Sequence, residues 1–197
     1  MKKWMKRTIG WWFSFIVFGV GFGDGGAWAQ EVYLCVWRNP ERTMTRLFPE
    51  ARDYRTVTVP IPAPVLSRIE ARARGTLLPG QREQYQYYEM LDGQGRVIGH
   101  TQAMTEKGEF GAIEFVFGTD PQHRIIGLYI QRQRERDRRF REASFLDRFK
   151  GLAVADAEAF SDPLGPSGSV ATRAITEGVR KALIEFDELV LKKEARP

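Results

Sequence analysis

The chain has 197 residues, 43% of them apolar and 12% aromatic, which is enough apolar surface for a core and excludes long disorder. Thirty Lys and Arg against 25 Asp and Glu give a formal net charge of +5. One cysteine, Cys35, excludes a disulfide framework and a thiolate zinc site, and two separated histidines, His100 and His123, do not supply the missing ligands.

At the amino terminus Lys2, Lys3, Lys6 and Arg7 precede an apolar run from Ile9 to Phe22, followed by Ala27-Trp28-Ala29. Positive, apolar, then small-x-small is the order of a secretory signal peptide cleaved after Ala29. Residues 1–29 are therefore read as a signal and 30–197 as one domain, periplasmic or otherwise extracytoplasmic. The competing reading is a retained membrane anchor, which needs roughly 20 apolar residues. This run is shorter, and Gly10, Gly19 and Gly21 interrupt it. Residues 1–29 carry +3 of the charge, so the mature chain keeps +2 and has no global pull toward nucleic acid. Cys35, with no small residue before it, reads as a small buried hydrophobe rather than a lipid anchor.

Asn39-Pro40-Glu41 combines a capping side chain, a first-turn proline and an acid, the start of a short helix whose apolar face is Met44, Leu47 and Phe48. Tyr54–Val59 alternates and reads as a strand. Val65, Leu66 and Ile69 predict a second helix ending near Gly75. Strands follow at Tyr85–Leu91, Arg96–Met104, Ala112–Phe117 and Arg124–Gln131, linked by the turn signals Asp92-Gly93-Gln94-Gly95 and Thr119-Asp120-Pro121. A short helix near 142–150 places Phe145, Leu146 and Phe149 on one side. Ile175, Val179, Ala182, Leu183, Phe186 and Val190 keep a helical period from about Ala171 to Lys192. The expected class is α+β: an antiparallel β-meander of four to five strands packed on short helices and one long C-terminal helix.

Most of the chemistry-bearing residues have plain structural readings. The run Arg132–Arg141, with Glu135 and Asp137 interleaved, reads as a solvated strand exit, with anion or partner binding as the alternative. His100 and His123, near strand ends, are expected to face solvent or be hydrogen-bonded. No nucleophile–base arrangement and no carboxylates paired at useful spacing are visible. The segment Ser161-Asp162-Pro163-Leu164-Gly165-Pro166-Ser167-Gly168-Ser169-Val170-Ala171-Thr172 is different, because glycine, proline and hydroxyl residues run directly into the last helix. Free N–H groups and the helix dipole make such a junction a phosphate seat. The simpler reading is N-capping by Ser167 or Ser169.

Several pieces of the chain, in order and spacing, resemble the bacterial FMN-binding domain family. They are Glu31–Leu34, Leu47–Ala51, Gly99-His100-Thr101, Ile113–Gly118 before Asp120-Pro121, Arg134-Glu135, Phe145–Gly151 and Arg173–Leu183. That family includes flavin-carrying subunits of the Rnf and sodium-pumping NADH:quinone complexes, NosR-type proteins and small exported single-domain members. In it a threonine in a Ser/Thr-Gly-Ala-Thr loop before the last helix is joined to the FMN phosphate by a flavin transferase. Holding Arg173-Ala174 in register makes Ser169 the acceptor, within Ser167-Gly168-Ser169. A shifted match, Ser169-Val170-Ala171-Thr172, makes Thr172 the acceptor but puts valine where glycine belongs.

The resemblance thus implies an exported electron-transfer domain carrying FMN, covalently or not. Ser169, Ser167, Gly168 and Thr172 would form the site, and Arg134 and its neighbours would neutralise the phosphate or the reduced flavin. Implied partners are quinone-linked complexes or cytochromes, and the transferase. The sequence also departs from the family: Asp162 precedes Ser167 by five residues rather than three, and Arg136–Phe140 has no glycine. The alternative is a flavin-free accessory or interaction subunit of a redox complex that keeps the fold.

Overall fold

The apolar alternation and tight turns of the middle of the chain produce five strands, each hydrogen-bonded to the next. They are β1 (Asp53–Pro60), β2 (Gln84–Leu91), β3 (Val97–Lys107), β4 (Ala112–Thr119) and β5 (Ile125–Arg132). All pairings are antiparallel and the order is β1-β2-β3-β4-β5, the expected meander. The computed structural model describes residues 40–194, which belong to a unit spanning Val32–Pro197. The predicted signal segment, the Glu31–Leu34 piece, Cys35 and Asn39 lie outside the described residues.

Helices cover both faces. On one side α1 (Pro40–Leu47) brings Met44, Leu47 and Phe48 onto Tyr88, Met90 and Val116. On the other, α4 (Val170–Phe186) lies across β3 and β4 beside α2 (Ala63–Ala73). There Ile175, Val179, Ala182, Leu183 and Phe186 join Phe115, Phe117, Met104 and Leu128 in the main core. Close contact requires a residue without Cβ at 178, since a Cβ there would lie 2.7 Å from Glu106 Cγ and from Phe115 Cζ. The register places Arg55, Glu89, His100, Thr119 and Ile125 in one row across the sheet. Contacts of His100 and Glu106 with Phe186 and Lys181 identify this as the α4 face.

Several boundaries differ from the sequence reading, four of them for a clear local reason. β3 runs on to Lys107, because Glu106 finds a buried cation on α4. The helix near 142–150 is a single turn, α3 (Ala143–Leu146), tightened into a 3-10 turn at Asp147–Phe149. α2 ends in a left-handed residue as expected, but that residue is Arg74 (φ 52) rather than Gly75, whose N–H bonds Glu70 O at 3.2 Å. The last helix changes to a π turn at Asp187–Leu191 before α5 (Lys192–Glu194). That turn sets Asp187 and Glu188 against Arg72, at 2.5 and 2.7 Å, with Arg68 and Lys192 also on Glu188.

Candidate functional site

The loop before α4 is built around Asp162. Its Oδ1 accepts the Leu164 N–H at 2.9 Å, and its Oδ2 accepts the Thr172 hydroxyl at 2.8 Å. A 3-10 turn, Gly165–Ser167, brings the chain back over this carboxylate. Gly168 packs directly on it: a Cβ at 168 would lie 2.1 Å from Asp162 Oδ2 and 3.0 Å from Thr172 Oγ1. The place where a bound anion would meet a glycine backbone is therefore lined by the chain's own carboxylate.

Ser169 is the N-cap of α4. Its Oγ accepts the Thr172 N–H at 3.3 Å, while Thr172 Oγ1 accepts the Ser169 N–H at 2.7 Å, a reciprocal box that satisfies two free donors of the helix start. The two candidate acceptors thus differ in access. Thr172 is fully buried, with its hydroxyl enclosed by Asp162 and the Ser169 backbone. Ser169 is half-buried, with its hydroxyl near enough to the Asp137 carboxylate to help stabilise that charge. Ser167 is exposed and donates to Leu164 O at 2.7 Å.

Two guanidinium groups clasp the outside of this loop. Arg139 Nη1 donates to Ser167 O at 2.9 Å while its other nitrogens grip Asp137, and Arg173 Nη1 donates to Gly168 O at 2.7 Å. The Arg139 guanidinium holds the Asp137 carboxyl far below the usual carboxylate range; burial opposes this and the Ser169 hydroxyl adds to it. Arg134, the arginine singled out from sequence, is exposed in the segment after β5; the arginines that bond the loop are Arg139 and Arg173. Buried Phe140 anchors the 3-10 turn from which Arg139 reaches, and Arg173 sits four residues past the cap, on the first turn of α4. Glu135, next to Arg134, turns inward and accepts the N–H groups of Glu109 and Phe110 at the β3–β4 turn.

Two further polar groupings lie under α4. Lys181 Nζ sits 2.9 and 3.0 Å from the Glu106 oxygens, with Glu185 one helical turn on, all three buried. Burial, with Glu106 adding and Lys181 opposing, pushes the Glu185 carboxyl up to about 8. This carboxylate pair was not visible from sequence spacing; its signal is that Lys181 and Glu185 fall on the same buried stripe of α4 as Ala174 and Gly178. The second grouping is His100 and His123, whose rings lie 5.6 Å apart and both contact Phe186. Both residues are half-buried, part-way to the solvent-facing position expected from sequence, and neither Nδ1 has a hydrogen-bond partner. Burial, then His123, lowers the His100 pKa to about 4.

Two cavities of about 270 and 240 Å³ lie elsewhere, the first between α1, β5 and α3, the second between β1, α2 and the π turn; neither is lined by the 161–173 segment. No family model matches the chain, and no curated protein matches it. Among solved structures the chain is similar to NqrC from Shewanella oneidensis, at 14% identity, with 78% of this chain and 88% of that chain covered and a TM-score of 0.44.

Proposed function

We propose that this domain is an exported electron carrier that holds FMN at the start of α4, its phosphate joined to Ser169 Oγ. The single observation that carries the reading is the contrast between two hydroxyls one turn apart. Ser169 is half-buried in a loop whose carbonyls are held by two guanidinium groups, whereas Thr172 is sealed. A phosphate diester is a monoanion, and the N-terminus of a helix with arginines beside it favours that charge. In the attachment step the Ser169 oxygen bonds to the flavin-bearing phosphorus of a flavin dinucleotide, the phosphoanhydride bond breaks, the nucleoside monophosphate leaves, and the serine proton passes to solvent.

In this reading Ser169 tethers, Arg139 and Arg173 balance the phosphate charge, and Ser167 and Gly168 shape the approach. Bound FMN would supply one- and two-electron transfer, the protein's part being to hold and orient it. The exposed guanidinium groups of Arg132, Arg134, Arg136, Arg138 and Arg141 offer a basic face to an acidic redox partner, such as a quinone-linked complex or a cytochrome. Export by cleavage after Ala29 belongs to the same proposal and is checked by sequencing the amino terminus of the native protein.

The test is co-expression with a flavin transferase, followed by denaturation and mass measurement. A mass gain of FMN minus water, lost in Ser169→Ala and kept in Thr172→Ala, supports the reading. A colourless chain of unmodified mass, or a label that survives Ser169→Ala, overturns it. Asp162 favours a second reading, a flavin-free accessory domain, because its carboxylate already fills the space facing Gly168 and opposes a second anion there. That reading predicts the colourless chain.

A further inference from the structure

The only two histidines of the chain come from separate elements, His100 from β3 and His123 from the β4–β5 turn, yet their rings meet 5.6 Å apart. Their environment leaves unusual atoms unanswered. The Nδ1 of both rings is buried without a hydrogen-bond partner, and so is the hydroxyl of Thr119, which stands opposite His100 in the β3–β4 register on the same face. Buried polar atoms are almost always paired, so three orphans in one place call for a missing occupant. His123 is fixed in place by its turn: it holds φ +59, the left-handed region in which histidine, asparagine and aspartate are enriched, and Asp120 Oδ1 accepts the Gln122 and Arg124 N–H groups at 2.9 Å each.

We propose that His100 and His123 form a binding site for one late first-row transition-metal ion, at the copper–zinc end of the series. Imidazole nitrogen suits those ions, and affinity for such ligands is highest at that end of the row. With metal–nitrogen bonds of about 2.1 Å and a tetrahedral angle, the centroids of two imidazoles on one ion lie about 5.2 Å apart. The observed 5.6 Å needs only a slight closure. Phe186 and Tyr87 wall the pair, at 5.0 and 5.8 Å from the His100 ring, and the Glu89 carboxylate beside it in the sheet is held by Arg55. No third His, Cys, Asp or Glu among the described residues gathers with them. The two histidines therefore supply half of a tetrahedral shell and leave the other positions to water, the Thr119 hydroxyl or an added ligand. The site touches the C-terminal end of α4, about 25 Å along the helix from Ser169 at 1.5 Å per residue, so it stands or falls independently of the flavin reading.

The experiment uses the full chain stripped with a chelator and titrated with Zn²⁺, and separately with Cu²⁺, by calorimetry. One equivalent is expected to bind at micromolar Kd or tighter, weakened at least 100-fold in His123→Asn and in His100→Gln. Asparagine tolerates the left-handed backbone at 123, so the first variant keeps the turn. Nitrogen NMR of the parent protein gives a readout that does not depend on a folded variant: both Nδ1 resonances shift on adding Zn²⁺. Absence of a bound equivalent, parent-like affinity in both variants, or unmoved Nδ1 resonances overturns the proposal and leaves a buried water as the occupant.

Discussion

Replacing Gly168 with alanine tests whether the loop before α4 is organised by Asp162. The backbone at 168 has φ −64 and ψ 146, a region open to any residue, so the penalty is one of contact alone. An added Cβ would lie 2.1 Å from Asp162 Oδ2 and 2.9 Å from its Cγ, well inside contact distance. The carboxylate must swing out and give up the 2.8 Å bond from the Thr172 hydroxyl, which turns to Ser169 O at 3.0 Å instead. A hydrogen bond to a charged group contributes about 1.5–3 kcal/mol. The substitute bond and the lower chain entropy of alanine, about 0.4–1 kcal/mol, return part of it. Gly168→Ala should therefore destabilise by about 1–2 kcal/mol, read as a lower midpoint in urea at unchanged slope. With Asp162→Ala already in place the obstruction is gone, and the same substitution should be neutral or slightly stabilising. Additivity of the two single effects within about 0.5 kcal/mol would refute the argument.

Lys181→Met leaves Glu106 buried without its cation and should cost about 3–5 kcal/mol, whereas Lys181→Met with Glu106→Gln should recover much of that, both measured by urea unfolding. The folded pKa of Glu185 is raised, so folding retains a proton that the unfolded chain releases. Its contribution is complete below about pH 4.5 and lost as pH rises through about 8, a loss that Glu185→Gln abolishes. His100 has the opposite sign: its folded pKa is depressed to about 4, so the metal-free protein loses stability as pH falls from 6.5 toward 4. The full loss is about 3 kcal/mol, seen as the difference between parent and His100→Gln midpoints across that range.

Periodicity carried most of the architecture. The α4 stripe from Ile175 to Phe186, the turn signals at Asp92-Gly93 and Asp120-Pro121, and the alternation of β2 to β5 are local properties, readable residue by residue. The candidate loop was legible as a hydroxyl-rich helix start capped by Ser167 or Ser169, and the structure selects Ser169. Side-chain partnerships between distant segments were not legible. Arg139 rather than Arg134 bonds the loop because buried Phe140 fixes the neighbouring backbone. Lys181 pairs with Glu106, 75 residues away, because Gly178 lets the helix approach β3. The meeting of His100 and His123 depends on the register of β3 with β4 and on the turn that follows.

Because every strand pairs with its immediate successor, the whole sheet can zip up by short loop closures as soon as Arg132 has left the ribosome. Yet the aromatic side of that sheet, with Phe115 and Phe117 at its centre, lacks much of its cover until α4 has been made. Nascent chains halted before residue 170 would thus display a finished but naked greasy platform, a ready client for chaperones. Chains truncated before residue 170 should aggregate rather than work as smaller proteins.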